Sequence, residues 1–254
     1  VGRYLTYHYQ TFTVGLFPAA DFPDGTGGER GRSVTHLHDD LVVDSVGLRR
    51  AARDAGLPWL RGGVVEHGAG QMPVDEATTY GPGPHHLDAM RDSALRRRMW
   101  AFTMQGEDLA QISNRIDLDP SVRDVWGFPA GRVTYAPHRH ELAASAYAAP
   151  LHEAVMLDAG AEVAFSATSP PQGSLDQHAA SSPLGMAPAS RHVMGTARMG
   201  SDPTDSVVDA GQRLWDVDNV LVCDSSVFVT SAGYNPTLTL VALAHRAAHL
   251  LVGE

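Results

Sequence analysis

Three stretches rich in glycine and proline, at 18–32, 56–84 and 169–190, cut this 254-residue chain into short blocks. Proline donates no backbone hydrogen bond and glycine favours turns, so regular elements must lie between these stretches. The blocks alternate in character. Residues 9–17, Tyr-Gln-Thr-Phe-Thr-Val-Gly-Leu-Phe, mix β-branched and aromatic side chains and predict a strand. Segment 33–47 is β-prone. Leu87, Met90, Ala94, Leu95, Met99 and Phe102 recur at helical spacing and predict an amphipathic helix near 85–99. An extended segment after Trp100, a strand and turn over 114–120 and a short strand at 133–135 follow. A helix from about 139 to 159 ends at Gly160, with Pro150 expected to kink or break it. Glu162 to Thr168 reads as a strand. Near the end, Val220-Leu221-Val222-Cys223 is a wholly apolar run of the kind buried on both faces of a sheet, with Cys223 a buried thiol. Thr237 to Val252 predicts a helix whose apolar side carries Leu238, Val241, Ala242, Ala248 and Leu251. The fold class is α+β: an antiparallel sheet of six-stranded type, backed by helices. Stretches 18–32 and 56–84 read as surface loops of the kind used as lids.

Composition narrows the function classes. A formal charge of −10 without a dense basic run argues against nucleic acid and anionic membranes as partners. No apolar stretch reaches the roughly 18–20 residues of a membrane span. A single cysteine excludes an internal disulfide framework and a thiolate zinc site. The chain opens on Val1-Gly2-Arg3 without a signal peptide or initiator methionine, which reads as a fragment or processed product, with a cytoplasmic origin expected. Of the 13 histidines, the pairs His36/His38, His85/His86 and His138/His140 lack the spacing that sets two imidazoles on one helical face, and no metal site is expected. There is no Gly-x-Ser-x-Gly elbow, and fragments such as Gly68-Ala69-Gly70 lack the third glycine of a dinucleotide-binding turn.

Two polar side chains in the last quarter stand out. His192 lies in Arg191-His192-Val193-Met194-Gly195-Thr196-Ala197-Arg198-Met199-Gly200. Glycines here allow the backbone to approach something flat, and an imidazole beside it can take a hydroxyl proton near neutral pH. A buried histidine bonded to backbone is the plain alternative. Asn235 precedes Pro236, which suits a first helical position, so Asn235 either caps that helix or serves a site at its N-terminus. Free N–H groups and the positive end of the helix dipole would stabilise an electron-rich group there. Asp224, after the apolar run, either accepts hydrogen bonds from a polyol chain or caps a turn.

Together, residues 191–252 resemble the C-terminal signature of the glucose–methanol–choline (GMC) family of FAD-dependent oxidoreductases. The matching blocks are His192-x-x-Gly195-Thr196-x-Arg198-Met199-Gly200, Ser206-Val207-Val208-Asp209, Asn219-Val220-Leu221-Val222-x-Asp224-x-Ser226 and Asn235-Pro236-Thr237-x-Thr239. Upstream, 106–118, Gly127-Phe128-Pro129 and Val1-Gly2-Arg3-Tyr4-Leu5-Thr6-Tyr7-His8 are also similar to family segments. The resemblance implies that His192 is the base accepting the alcohol proton while hydride passes to flavin N5, and that Asn235 hydrogen-bonds the same oxygen. It implies that Asp224, Ser225, Pro236 and Thr237 line the FAD, with the Thr237 N–H reaching the flavin C2 carbonyl; Pro236 can donate nothing. Gln105, Glu107 and His152 are weaker candidates on the substrate side. Ser225 to Pro236 is most similar to the sugar-oxidising branch of pyranose oxidase and C-glycoside 3-oxidase, implying oxidation of a sugar or glycoside secondary alcohol to a ketone. A choline-type or other small-alcohol enzyme, or a non-catalytic sugar-binding module, is the alternative. The resemblance further implies a substrate-binding domain over 1–190 and the C-terminal segment of a FAD-binding α/β domain over 191–254. The family's Rossmann part lies N-terminal and is not in this sequence. A FAD-binding polypeptide or segment is therefore the expected partner, with an oligomer left open.

Overall fold

The computed structural model describes residues 1–19, 34, 36–69, 77, 82–91, 93, 95–168, 190 and 192–253. The expected lid loop at 18–32 and the loop at 169–190 lie largely outside the described residues, as do 70–76 and 78–81 of the stretch 56–84, and Arg191. In chain order the elements are β1 (Arg3–Thr6), β2 (Tyr9–Leu16), β3 (His36–His38), α1 (Val46–Asp54), β4 (Gly63–Ala69), α2 (Pro84–Arg91) and β5 (Met99–Gly106). Then come β6 (Arg115–Arg123), β7 (Pro129–Thr134), α3 (Arg139–Asp158), β8 (Val163–Thr168), β9 (Met194–Thr196), a 3-10 turn (Ser225–Val227) and α4 (Thr237–Val252). The fold is mixed α+β with antiparallel pairings and four helices among the described residues.

The chain divides into two compact units that interleave in sequence. The first comprises Val1–Tyr9, Glu107–Glu141 and Ser169–Glu254; the second comprises Gln10–Gly106 and Leu142–Thr168.

Among the described residues of the second unit, five strands run in the order β3-β4-β5-β2-β8. β4 lies antiparallel to β5 from Gly63↔Gly106 to Ala69↔Trp100, and β2 to β8 from Thr11↔Thr168 to Leu16↔Val163. Phe102, Met104 and Val65 point to one face, where Leu41, Leu48, Ala52, Leu57, Leu60, Ala148 and Met156 complete the core. α1 forms because Ser45 caps it, accepting from the Leu48 N–H at 3.2 Å, and because Leu48 and Ala52 are one turn apart on the buried side. α3 presents Ala144, Ser145, Ala148, His152 and Met156 inward at helical spacing. It runs unbroken through Pro150, where a kink or a break was expected.

Four expectations are corrected here. The β-prone stretch 33–47 yields only the three-residue β3 before α1 begins at Val46. The stretch 56–84 contains a central strand, β4, because Val64 and Val65 are buried despite their glycine neighbours. The helix near 85–99 ends at Arg91, and Met99 and Phe102 already belong to β5, where Phe102 packs into the sheet's core. Finally, 220–223 makes no strand: it contributes a single bridge, Arg213↔Leu221, and Cys223 is exposed, because no neighbouring strand pairs with it among the described residues.

The first unit holds a four-stranded sheet in the order β7-β6-β1-β9, with Leu5, Tyr7 and Tyr135 clustered beneath it. β1 and β9 pair antiparallel through Arg3↔Thr196 and Thr6↔Met194. Tyr4, Gly195 and Thr196 all have left-handed φ of 64°, 80° and 80°. A Cβ on Gly195 would sit 2.0 Å from the Tyr4 carbonyl oxygen, so only glycine fits there. α4 forms as expected, ending on Gly253 in the left-handed conformation. Its apolar side is exposed in this structure, with Leu238 at 83%. Among the described residues, no helix is long and apolar enough to cross a membrane.

Met104 is fully buried and Leu118 on β6 is 67% exposed. Met104→Ala is expected to cost roughly 2–5 kcal/mol in denaturant unfolding and Leu118→Ala less than about 0.5 kcal/mol. Equal midpoints for the two variants would overturn this core.

Candidate active site

In the first unit, His192 sits two residues before β9. Its backbone N–H donates to Ser190 Oγ at 3.1 Å. Its Nδ1 is buried and has no hydrogen-bond partner among the described residues. The ring lies perpendicular to that of His8, with centroids 5.0 Å apart. His8 is fully buried, and its Nδ1 is 3.1 Å from Ser231 Oγ. Segment 193–199 runs along the 3-10 turn: Ser225 Oγ–H donates to the Val193 carbonyl at 2.6 Å, and the Ala197 and Met199 N–H groups donate to Ser226 and Val227. Asp224 Oδ1 accepts from the Ser226 N–H at 2.8 Å, so its carboxylate caps this turn. The structure thus brings Asp224 and Ser225 to the His192 segment.

Asn235 is exposed and lies one residue before the N-cap position. Pro236 occupies the N-cap position with φ −84° and no side-chain cap bond, and its carbonyl accepts from the Leu240 N–H at 2.9 Å. Thr237 opens α4 and is exposed. The segment bearing Asn235 reaches the His192 neighbourhood through Ser231, four residues earlier.

A buried acidic pair lies in the same unit and was not singled out from sequence. Asp108 is fully buried, and its Oδ2 accepts from the Tyr7 N–H at 2.6 Å. Burial, then the Glu141 carboxylate, hold its pKa well above the usual carboxylate range. Glu141 accepts from the Leu109 N–H at 2.8 Å and from the His138 N–H. Burial pushes its pKa up to about 7, and the nearby Glu107 adds to the rise. Glu107, a substrate candidate from sequence, acts here on this acidic pair. Asp108 also pairs its backbone with Ser231 in an isolated antiparallel bridge.

The second unit places Gln105 and His152 on opposite faces of its sheet. Gln105 is nearly buried; its Nε2 donates to Glu66 Oε2 at 3.0 Å, while its Oε1 accepts from Gln10 Nε2 at 3.0 Å. This polar row crosses β2, β5 and β4. His152, on α3, approaches Thr13 Oγ1 at 3.5 Å and packs edge-on against Phe102 and His38. His38 Nδ1 and His67 Nε2 are within hydrogen-bonding distance, at 2.5 Å. Burial, then His38 and His67, lower the His152 pKa to about 4. That ring is therefore held neutral near pH 7. His8, Asp108 and Ser231 lie in family-similar segments, but none of them, nor Glu141 or Glu66, was named as a site residue from sequence, because their partners are distant in the chain.

Residues 110–244 match the family model described as GMC oxidoreductase, and the chain belongs to that family. It is a family of FAD-binding oxidoreductases. Among relatives, 2-methyl-1,2-propanediol dehydrogenase of Mycolicibacterium austroafricanum is 36% identical over 146 residues, 57% of this chain and 23% of that protein. Paromamine 6'-oxidase of Streptomyces fradiae is 30% identical over 201 residues, 79% of this chain and 31% of that protein. C-glycoside 3-oxidase of Arthrobacter globiformis is 31% identical over 148 residues, 57% and 25% of the two chains. A crystal structure of formate oxidase shares the fold, with a TM-score of 0.53 and 15% identity, covering 98% of this chain and 46% of that one. The matches therefore span less than half the length of these proteins.

The lowered pKa of His152 has a pH consequence. Between about 4 and 6.5 the unfolded chain binds a proton that the folded one refuses, so stability is lost as pH falls through that window. The full loss is on the order of 3 kcal/mol. The raised Glu141 works the other way, adding stability as pH falls from about 7, and it is common to both proteins compared. Melting temperatures from pH 7 to pH 4 are expected to fall less steeply for His152→Gln than for wild type. Parallel profiles would contradict a neutral buried His152.

Proposed function

We propose that this chain is the C-terminal part of a FAD-dependent oxidoreductase that oxidises a sugar or glycoside secondary alcohol to a ketone. Residues 1–190 would supply the substrate side, and 191–254 the returning segment of the flavin domain. The carrying observation is His192: an imidazole whose buried Nδ1 lacks a hydrogen-bond partner among the described residues, three residues before a strained Gly195-Thr196 step. Backbone held in sparsely populated φ is kept where the surrounding structure enforces it, commonly at functional sites.

The residues present fit a flavin. α4 begins without a side-chain cap and with exposed first-turn residues, which leaves N–H donors and the positive dipole end for an electron-rich edge. Thr237 N–H, Asp224 and Ser225 would hold the cofactor, with Pro236 shaping the approach. Bound FAD supplies the acceptor for the hydride that leaves the carbinol carbon. His192 takes the hydroxyl proton at Nε2, since Nδ1 is buried, and the Asn235 amide orients the same oxygen. Gln105, with Glu66 and Gln10, offers a pre-bonded polar row suited to hydroxyl-rich substrates. The exposed apolar side of α4 supports packing against a separate FAD-binding segment.

Two relatives support the sugar reading by name, the oxidases of paromamine and of a C-glycoside. A dehydrogenase named for 2-methyl-1,2-propanediol supports a second reading, a small alcohol. Stopped-flow flavin reduction under anaerobic conditions, using the complete FAD-loaded flavoprotein that contains this chain, separates them. Pyranoses and C-glycosides are expected to bleach the flavin, and His192→Ala to slow that step by about 10²–10⁴-fold. A wild-type rate in His192→Ala would remove His192 as base. Bleaching by small diols alone would favour the second reading, and sugar binding without bleaching a non-catalytic module.

A further inference from the structure

The pairing of β1 with β9 extends beyond its last bonded residues. Thr6 stands opposite Met194, so two more residues along each strand bring His8 opposite His192, where the two rings meet at 90°. His8 is fully buried, and Ser231 Oγ lies 3.1 Å from its Nδ1 across 223 residues of sequence. Ser231 is itself 3% exposed and pairs its backbone with Asp108. The Asp108 carboxylate accepts from the N–H of Tyr7, the residue just before His8. Tyr7, Asp108, Ser231 and His8 thus close a ring of contacts, which fixes the His8 imidazole from its backbone and from its Nδ1. Ser231 also begins the segment that carries Asn235.

We propose that His8 is a positioning residue for this site, setting the ring plane of His192 and, through Ser231, tying the Asn235 segment to the same point. The proposal rests on His192 acting as base. A base must meet its proton in one narrow geometry, and a displacement of about 1 Å costs on the order of 10²-fold in rate. The contacts that orient it come from stretches distant in the chain.

Two variants test it in the complete FAD-loaded protein. His8→Phe keeps an aromatic ring beside His192 and loses the bond to Ser231; Ser231→Ala deletes one hydroxyl and serves where His8→Phe does not yield folded protein. Each is expected to slow flavin reduction by about 10- to 100-fold with KM changed less than kcat. A second readout does not depend on turnover: carbethoxylation of the His192 peptide by diethyl pyrocarbonate, followed by mass spectrometry, is expected to accelerate several-fold as the ring loosens. Wild-type reduction rates together with unchanged His192 labelling would overturn the proposal. A lowered melting temperature with unchanged labelling and KM-to-kcat balance would also overturn it, assigning His8 to stability alone. If instead His192→Ala retained the wild-type rate, the base assignment would fail while the labelling result still decided what His8 does.

Discussion

The first unit depends on one backbone crossing, that of β1 with β9. Some 190 residues separate the paired strands, and they meet only because Gly195 has no side chain to strike the Tyr4 carbonyl. Loop closure over such a length costs little more than over half of it, so the entropy is tolerable once the contact is specific. Specificity comes from stereochemistry: Tyr4 and Thr196 both accept left-handed backbone, and the Arg198 guanidinium lies 3.7 Å over the Tyr4 ring. The Gly2 N–H then donates to the Thr196 carbonyl at 2.7 Å, continuing the ladder. Register follows from this crossing, and in a strand pair register decides which side chains meet.

Both units bury polar groups, and they neutralise them in different ways. In the first, Asp108 and Glu141 are both desolvated, and each is drawn toward its protonated form while backbone N–H groups oppose the rise. In the second, His152 sheds its proton, with His38 and His67 beside it. Burial thus selects the uncharged form of acids and bases alike. The Thr11–Ser145 and Gln10–Gln105 pairs need no such adjustment, because each donor already has its acceptor. Polar contacts between β2 and α3 therefore give a unique register to a helix face that is otherwise small and apolar.

The sequence made local elements legible and left pairings hidden. β2, α3, β8 and α4 each carry their own period or composition, and their boundaries follow from Gly160 or from the Asn-Pro step. α1 and β4 escaped because their signals are short: a nine-residue helix with two buried positions, and a strand whose glycines mimic a loop. The error at 220–223 is of another kind. An apolar run has strand propensity, yet a strand exists only when a ladder continues beyond one bridge. Here the Val222 N–H donates to the Gln212 carbonyl and the Val220 carbonyl accepts from the Leu214 N–H, and among the described residues the pairing stops at Arg213↔Leu221.

The same distinction governs the site. His192, Asp224, Ser225 and Asn235 were visible because glycines, a proline and a buried-looking run surround them within a few residues. The groups that orient them were not visible, since nothing near His8 indicates Ser231, and nothing near Tyr7 indicates Asp108. Chemistry-bearing residues are written in local motifs because a nucleophile or base needs particular backbone at its own position. Their aim is set by contacts between strands far apart in the chain, where a single hydroxyl or carboxylate carries the constraint. A motif therefore identifies which groups can react, and only the fold determines which way they face.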